Sequence, residues 1–562
     1  MTVESSLPFL RLEFGFTALA SPFLALLAIV SCAVVVWSLP RRDAAELMLL
    51  IAFALAMSGV LAARSVAAFF LAWEAMSLIS AFLVAAQHER RVVRRATLTY
   101  LIVAQGGALC VLVALCILAG QAGSPSFSVI AASAGSLPPP LRNAVFALAF
   151  LGFGSKAGLL PLHFWLPRAH PVAPANASAM LSGVMLKVAI YGLCLTTLEL
   201  AAPAPLAWGL ALTLLGTVSA IAGVLYALLE HDLKRLLAYH SVENVGIVAL
   251  GLGVALTART LGDIPLASLA LIAALFHTIN HGLFKALLFL GSGVVGERAG
   301  TVDLERLGGL WERLVWTAPL FLVGCMSIAG LPPFNGFISE WVTFRSLLAG
   351  VAGSPLAVRA VLVAALAGLA LTGGLAAACF VKVFGVAFLG RSRDLRHALT
   401  ERERFGPEPA GMSILAGLCM LLGIVPLLAV TPLASVATTT LGAVPLALPM
   451  LSALPVSVAA LPFAGALAVV LIATRRRVRG VPTWTCGSPV TAAAQYTATA
   501  FARPLEIIFA FLPFGLVDDV ARRFAAGMLR LTRRSRALQS GSLRLYLAYA
   551  MAAFMIVVVA AR

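Results

Sequence analysis

The chain has 562 residues, of which 61% are hydrophobic and 11% charged, and its formal net charge is +17. A soluble globular chain carries roughly 25% charged residues, so this one lacks the polar groups to cover several soluble domains. That excludes a soluble enzyme, a nucleic-acid binder and a disordered scaffold. The basic residues stand in short clusters between apolar runs, as in the cytoplasmic loops of a membrane protein. The class that remains is an all-α polytopic membrane protein.

A bilayer crossing takes about 20 mostly apolar residues. In chain order the sequence predicts crossings at 17–38, 46–63, 66–87, 97–120, 143–170, 174–200, 205–229, 238–257, 264–294, 314–352, 360–390, 411–432, 455–474 and 541–560, about 14 in all. The first run follows Glu4 and Glu13 rather than the basic residues of a signal peptide, so residues 1–45 read as a retained N-terminal helix. Residues 46–200 and 205–390 each hold five crossings, and the fourth of each is broken. The first break is GSKAGLLPLHFWLP, with Pro161 and Pro167; the second is AGLPPFNGFISEW, with Pro332 and Pro333. A proline removes the hydrogen bond to the carbonyl four residues before it, for Pro161 that of Ala157. Broken helices at corresponding positions of two halves mark inverted repeats. Because five is odd, the second half runs opposite to the first.

Residues 391–474 then supply two accessory crossings. Residues 475–540 form a basic cytoplasmic segment, in which 498–516 makes a poor span because it holds Arg503, Pro504, Glu506 and Pro513. Residues 517–537 read either as an amphipathic surface helix or as a docking surface for a soluble partner. Residues 541–562 form the C-terminal crossing. With each broken run counted once and loop 39–45 inside, 28 Lys and Arg fall in one set of loops. Only Arg64, Arg142, Arg259 and Arg359 fall in the other. This asymmetry places the rich set in the cytoplasm and both termini outside. Counting 314–352 twice sends the arginine-rich loop 391–410 to the wrong side.

Seven of the eight cysteines (Cys32, Cys110, Cys116, Cys194, Cys325, Cys379, Cys419) lie in apolar runs, and Cys486 lies in a polar loop. Single buried cysteines behave as small hydrophobes, and no spacing matches an iron–sulfur, haem or structural zinc site. No cofactor is expected in this chain.

Of 40 basic residues only Lys156, Lys187, Lys234, Lys285 and Lys382 are lysine, and all but Lys234 fall within predicted crossings. Arginine stays charged at any accessible pH, whereas a buried lysine can release its proton near neutrality. A group that must load and unload a proton therefore has to remain lysine. Glu74, Glu243, Glu340 and the stripe His277, His281 and Lys285, which shares one helix face, join them. Seven charges at helix centres would cost about 20 kcal/mol unpaired, so they are paired, hydrated or partly neutral. A Glu–Lys pair about 5 Å apart at an effective dielectric near 20 gains about 3 kcal/mol. His163 reads first as a packed, hydrogen-bonded residue, and Lys382 either as a relay or as an end residue that reaches for the interface. His88 and His231 read as loop residues and Glu199 as a solvated helix end. His277 and His281 lack a carboxylate at ligand spacing, so no metal site is expected.

The segment KAGLLPLHFWLPRAHPVAPANASAMLSGVMLKVAIYGL resembles the hallmark of the antiporter-like proton-translocating membrane subunits. These occur in respiratory complex I (subunits L, M and N), in Mrp antiporters and in membrane-bound [NiFe] hydrogenases. FHTINHGLFKALLFLGSG and GLPPFNGFISEW are similar to the same family. YHSVENVGI, CFVKVFGVAFLG and WTCGSPVTAAAQYTATAFARPL resemble its hydrogenase-4/formate hydrogenlyase branch. The resemblance implies that Glu74 controls Lys156, that Lys187 bridges to the second half, that His277, His281 and Lys285 form the central relay, and that Glu340 is the terminal carrier. His240 and Glu243 match the branch motif without an assigned role. In the family the glutamate helix is usually the fifth crossing and here it is the third, so two N-terminal helices are expected to be missing, which leaves packing at that edge open.

The resemblance implies a multi-pass protein of the inner (plasma) membrane. It would be a non-catalytic, proton-translocating subunit of a hydrogenase-4/NADH:quinone oxidoreductase-like complex. Fe–S and Ni–Fe centres are then expected in partner subunits, with other membrane and peripheral subunits, protons, Na⁺ and lipid as partners, and no nucleic acid. One alternative is an Mrp-type Na⁺(K⁺)/H⁺ antiporter subunit without redox chemistry. Another is a proton-driven energising partner of an inorganic-carbon uptake complex.

Overall fold

A computed structural model describes residues 2–3, 12–41, 43–393, 401–442, 465, 469, 486–487 and 495–508. Near the N-terminus Thr2–Val3 pairs antiparallel with Leu12–Glu13. Then follow α1 (Ser21–Ser38), α2 (Ala44–Ala62), α3 (Val66–Val84), α4 (Arg91–Ala122), α5 (Phe127–Ser133) and α6 (Pro139–Ala157). The first break leads through α7 (Leu166–Ala169) to α8 (Ala175–Met180) and α9 (Leu186–Leu195). These two run on as one crossing, Ala175–Leu200, interrupted by wider π turns at Leu181–Met185 and Thr196–Leu200.

The second half comprises α10 (Leu206–Leu229), α11 (Leu233–Thr260), α12 (Ile264–Ala299), the two pieces α13 (Thr317–Ile328) and α14 (Asn335–Gly353), and α15 (Leu356–Ala387). Beyond it lie α16 (Pro407–Ile424), α17 (Leu427–Leu441) and α18 (Ala498–Ile508). Among the described residues ten helices are long and apolar enough to cross a membrane. With the two broken crossings they account for every expected span up to residue 432. The spans at 455–474 and 541–560, and the stretch 517–537, lie outside the described residues.

Helix ends follow local chemistry. Asp43, Ser65, Asp232 and Asp263 cap α2, α3, α11 and α12 by accepting the backbone N–H three residues on. Each side chain satisfies a donor that the first turn leaves free. Several boundaries differ from the sequence reading. α4 and α11 start earlier than expected, so Arg91, Arg94, Arg95 and Lys234 sit within helices rather than loops. The expected span 411–432 is two helices, because Pro426 follows the end of α16 and has no N–H with which to continue its ladder. Of the cysteines in apolar runs, Cys32 and Cys116 face outward, so they are not core hydrophobes.

Ala175–Leu200 and α11 are buried along their whole apolar length, and α12 nearly so, while α2 and α15 turn most of their surface outward. A helix that is apolar all round belongs in the interior of a bundle. The same three central crossings carry Lys187, His240, Glu243, His277, His281 and Lys285.

Both breaks are built alike. α6 ends at Ala157, the carbonyl that Pro161 cannot serve, and Gly158 follows with φ +83°. α13 ends at Ile328, and Gly330 follows with φ +61°. A left-handed residue here turns the chain out of the helix, a conformation that glycine adopts without a Cβ penalty. The freed backbone is satisfied inside the protein: Leu160 N–H donates to Ser219 Oγ of α10 at 3.2 Å. Irregular backbone at membrane depth is tolerated only on that condition.

A Cβ at Gly158 would stand 2.0 Å from Leu166 Cδ1. Gly158→Ala is therefore expected to destabilise the detergent-purified protein by about 1–3 kcal/mol, read as a lower melting midpoint. Gly120→Ala, where a Cβ meets nothing within 4 Å, should not lower it.

Candidate functional site

Lys156 lies in the last turn of α6, just before the break, and is 2% exposed. Its ammonium donates to Ser77 Oγ of α3 at 3.0 Å and to Tyr100 Oη of α4 at 2.7 Å. Tyr100 Oη also lies 2.5 Å from Ser80 Oγ. Glu74 stands one turn before Ser77 on α3 and accepts from Gln105 Nε2 at 3.0 Å. Glu74 and Lys156 therefore form no direct ion pair; two hydroxyls hold the lysine, and an amide holds one oxygen of the carboxylate.

Lys187 opens the regular part of α9, directly after the π turn Leu181–Met185. Its ammonium donates to the Ser182 carbonyl in that turn. Ser182 Oγ lies 2.8 Å from Ser241 Oγ of α11, and Ser241 Oγ in turn donates to the Leu237 carbonyl at 3.2 Å. Lys285 of α12 donates to that same carbonyl. Hydrogen-bonded residues thus bridge Lys187 of the first half and Lys285 of the second, each lysine meeting a backbone carbonyl, Ser182 or Leu237, of that bridge.

The stripe on α12 continues from there. His277 Nε2 lies 3.2 Å from Asn244 Oδ1 of α11, and its Nδ1 lies 3.0 Å from Ser339 Oγ of α14. The His277 and His281 rings are 6.4 Å apart. His281 is fully buried, and neither ring nitrogen has a partner among the described residues. Asn280, between the histidines, donates to the Asn335 carbonyl at 2.8 Å and accepts from Asn335 Nδ2 at 3.1 Å. This reciprocal amide pair fastens the start of α14 to the relay helix. Glu340, two turns along α14, leans against the second break, since a Cβ at Gly330 would come within 2.8 Å of its Oε2. His240 and Glu243, one turn apart on α11, are hydrogen-bonded to each other, Nδ1 to Oε2.

Two candidates fall outside this series. Lys382 donates to the carbonyls of Leu228 and Glu230, at 2.6 and 2.9 Å. It thus caps the C-terminal end of α10, where a cation meets free carbonyls and the negative end of the helix dipole. The sequence offered it as a relay or as an interface-seeking end residue; its contacts here are those of a helix cap. His163 sits buried in the first break, 6.3 Å ring to ring from Tyr239, and its Nδ1 has no partner among the described residues.

Sequence reasoning missed the neutral groups: Ser77, Tyr100, Gln105, Ser182, Ser241, Asn244, Asn280, Asn335 and Ser339. Their signal was polarity at helical spacing from a charge, as with Ser77 three residues after Glu74. Among the described residues no three His, Cys, Asp or Glu side chains converge on a metal position.

Comparison with known proteins agrees with this architecture. Residues 63–368 match the family described as NADH:quinone oxidoreductase/Mrp antiporter, transmembrane. Hydrogenase-4 component B of Escherichia coli is 46% identical over 328 residues, covering 58% of this chain and 48% of that protein. Formate hydrogenlyase subunit 3 of the same organism is 38% identical over 379 residues, covering 66% and 61%. The chain thus spans about half to three-fifths of the length of these two relatives. The structure of an archaeal membrane-bound sulfane sulfur reductase contains a chain that superposes with a TM-score of 0.80 at 26% identity, covering 100% of this chain and 91% of that one. The chain belongs to the NADH:quinone oxidoreductase/Mrp antiporter family and is an antiporter-like, multi-pass membrane protein.

Replacing Ser77 with alanine and Tyr100 with phenylalanine together leaves the Lys156 ammonium buried without either hydroxyl. An unsatisfied buried donor costs about 1–3 kcal/mol, more when charged. The double variant should melt lower than wild type in detergent, and lower than a Lys156→Met/Ser77→Ala/Tyr100→Phe triple variant, from which the orphaned charge is gone.

Proposed function

We propose that this chain is the proton-translocating subunit of a membrane-bound oxidoreductase complex of the hydrogenase-4 type. The observation that carries the reading is the hydrogen-bonded run from Lys187 through Ser182, Ser241 and Leu237 to Lys285, which links the two halves through the protein interior. A structural lysine needs one set of partners at a helix end, as Lys382 has. Four further titratable stations laid out across the bundle, Lys156, Lys187, Lys285 and the His277/His281 pair, serve better as carriers.

In this reading Glu74 and Lys156 form the control point. At an effective dielectric near 20, moving a carboxylate from about 10 to about 5 Å from an ammonium changes their interaction by about 1.7 kcal/mol, roughly a factor of 10 to 20 in proton occupancy. Ser77 and Tyr100 hold the lysine while that distance changes. The serine hydroxyls hold the helices that carry Lys187 and Lys285 together, while the Ser182 and Leu237 carbonyls that these lysines meet only accept. A proton released by Lys156 passes to Lys187 and then to Lys285. His277 and His281 take it along the face of α12, and Glu340 releases it at the second break. Redox chemistry takes place in partner subunits, which would hold Fe–S and, in a hydrogenase, Ni–Fe centres; this chain moves protons and leaves the redox substrate to them.

The names of the two E. coli relatives favour a redox partner over an Mrp-type exchange with Na⁺ or K⁺. Vesicles holding this chain without an electron donor should accordingly show no sodium-dependent proton flux. In vesicles holding the native assembly, Lys156→Ala is expected to abolish donor-driven proton uptake while partner redox turnover continues at least in part. Pumping at the wild-type rate contradicts the role given to Lys156.

A further inference from the structure

The relay just described leaves one buried acid–base pair unused. His240 is fully buried and Glu243 is 2% exposed, and they are bonded to each other in the first half of α11. As a structural ion pair this arrangement has little to recommend it, because the desolvation of two buried charges offsets most of their attraction. Nor is the pair fully satisfied: His240 Nε2 is buried with no partner among the described residues. The site is nevertheless held firmly. The His240 ring lies 4.6 Å from that of Phe380 on α15. α10 approaches so closely that a Cβ at Gly223 would stand 2.5 Å from the Glu243 amide nitrogen.

Its neighbours along the helix explain the placement. Leu237 supplies the carbonyl shared by Ser241 and Lys285, Ser241 touches Ser182 beside Lys187, and Asn244 reaches His277 while donating to the His240 carbonyl at 2.9 Å. Residues 237–244 of one helix thus touch Lys285, the Lys187 turn and His277 in succession, with His240 and Glu243 between these contacts. Lys285 and Glu340 act on Glu243 electrostatically. Glu243 also stands on the second crossing of its half, as Glu74 does in the first.

We infer that His240 and Glu243 form a proton-carrying station of the second half, a carboxylate–imidazole pair through which protons pass between the Lys187/Ser241 junction and Lys285. The step balances on one proton: His240 takes a proton at Nε2 and gives the one on Nδ1 to the Glu243 carboxylate. The resulting carboxyl passes it to neutral Lys285, and His240 returns to its first tautomer by ring rotation.

This rests on the proposed proton-pump reading, and the test separates the two. In vesicles holding the native assembly, the His240→Gln/Glu243→Gln double variant keeps a side-chain hydrogen bond and the packing but cannot carry a proton. It is expected to assemble, to retain redox turnover and to lose proton translocation by about a hundredfold. Translocation at the wild-type rate overturns the inference, while Lys156→Ala in the same vesicles tests the broader reading. Should the double variant fail to assemble, infrared difference spectra of the wild-type assembly between two pH values decide. A carboxyl band that disappears in Glu243→Gln alone supports the pair as a carrier, and its absence from the wild type overturns it.

Discussion

A charge or an unpaired backbone group inside a bilayer has no water to turn to, so supplying its partners falls to the protein. The rest of this structure follows from that constraint. Each of the four intramembrane lysines finds hydroxyl or carbonyl oxygen rather than solvent. The backbone freed at the first break is caught by Ser219 of the opposite half. At the second break Asn280 and Asn335 clasp each other. Polar groups treated this way are fixed in place, and a fixed series of titratable groups is what directional proton transfer requires.

Helix α11 ties the series together. Its segment from Leu237 to Asn244 touches Ser182, which holds Lys187 of the first half, and Lys285 and His277 of the second. The close approach of α10 at Gly223 leaves this segment little room to shift by itself. A displacement of α11 would move the Ser182 hydroxyl's partner and the carbonyl that holds Lys285 together. The π turn before Lys187 serves the same end from the other side, since it presents the Ser182 carbonyl to Lys187 and the Ser182 hydroxyl to α11.

Much of this was legible in the sequence because the membrane writes strong signals. Apolar length marked the crossings, Pro161 and Pro332 marked the breaks, and the survival of lysine among arginines marked cations that lie buried in the bundle. What stayed hidden were the neutral partners. Ser77, Tyr100, Asn280 and Asn335 are unremarkable in composition, and only the packing of distant helices reveals that they hold a lysine or clasp a broken end. The hydroxyls that hold Lys156 beside Glu74 were hidden in the same way. Lys382 was ambiguous for a related reason: a helix C-terminus that needs a cation is visible only once α10 and α15 are packed. The split at Pro426 was missed because the apolar pattern runs straight through it.

The central claim is that the buried lysine–histidine series serves a redox-driven pump. The most direct measurement is to purify the native assembly in mild detergent, identify its subunits by mass, and assay nickel, iron and zinc. The account predicts iron in hydrogenase- or dehydrogenase-like subunits that copurify with this chain, with nickel singling out the hydrogenase. An assembly free of redox metal contradicts it: small hydrophobic subunits alone would point to an ion/proton antiporter, and a large soluble zinc protein to energised uptake of inorganic carbon.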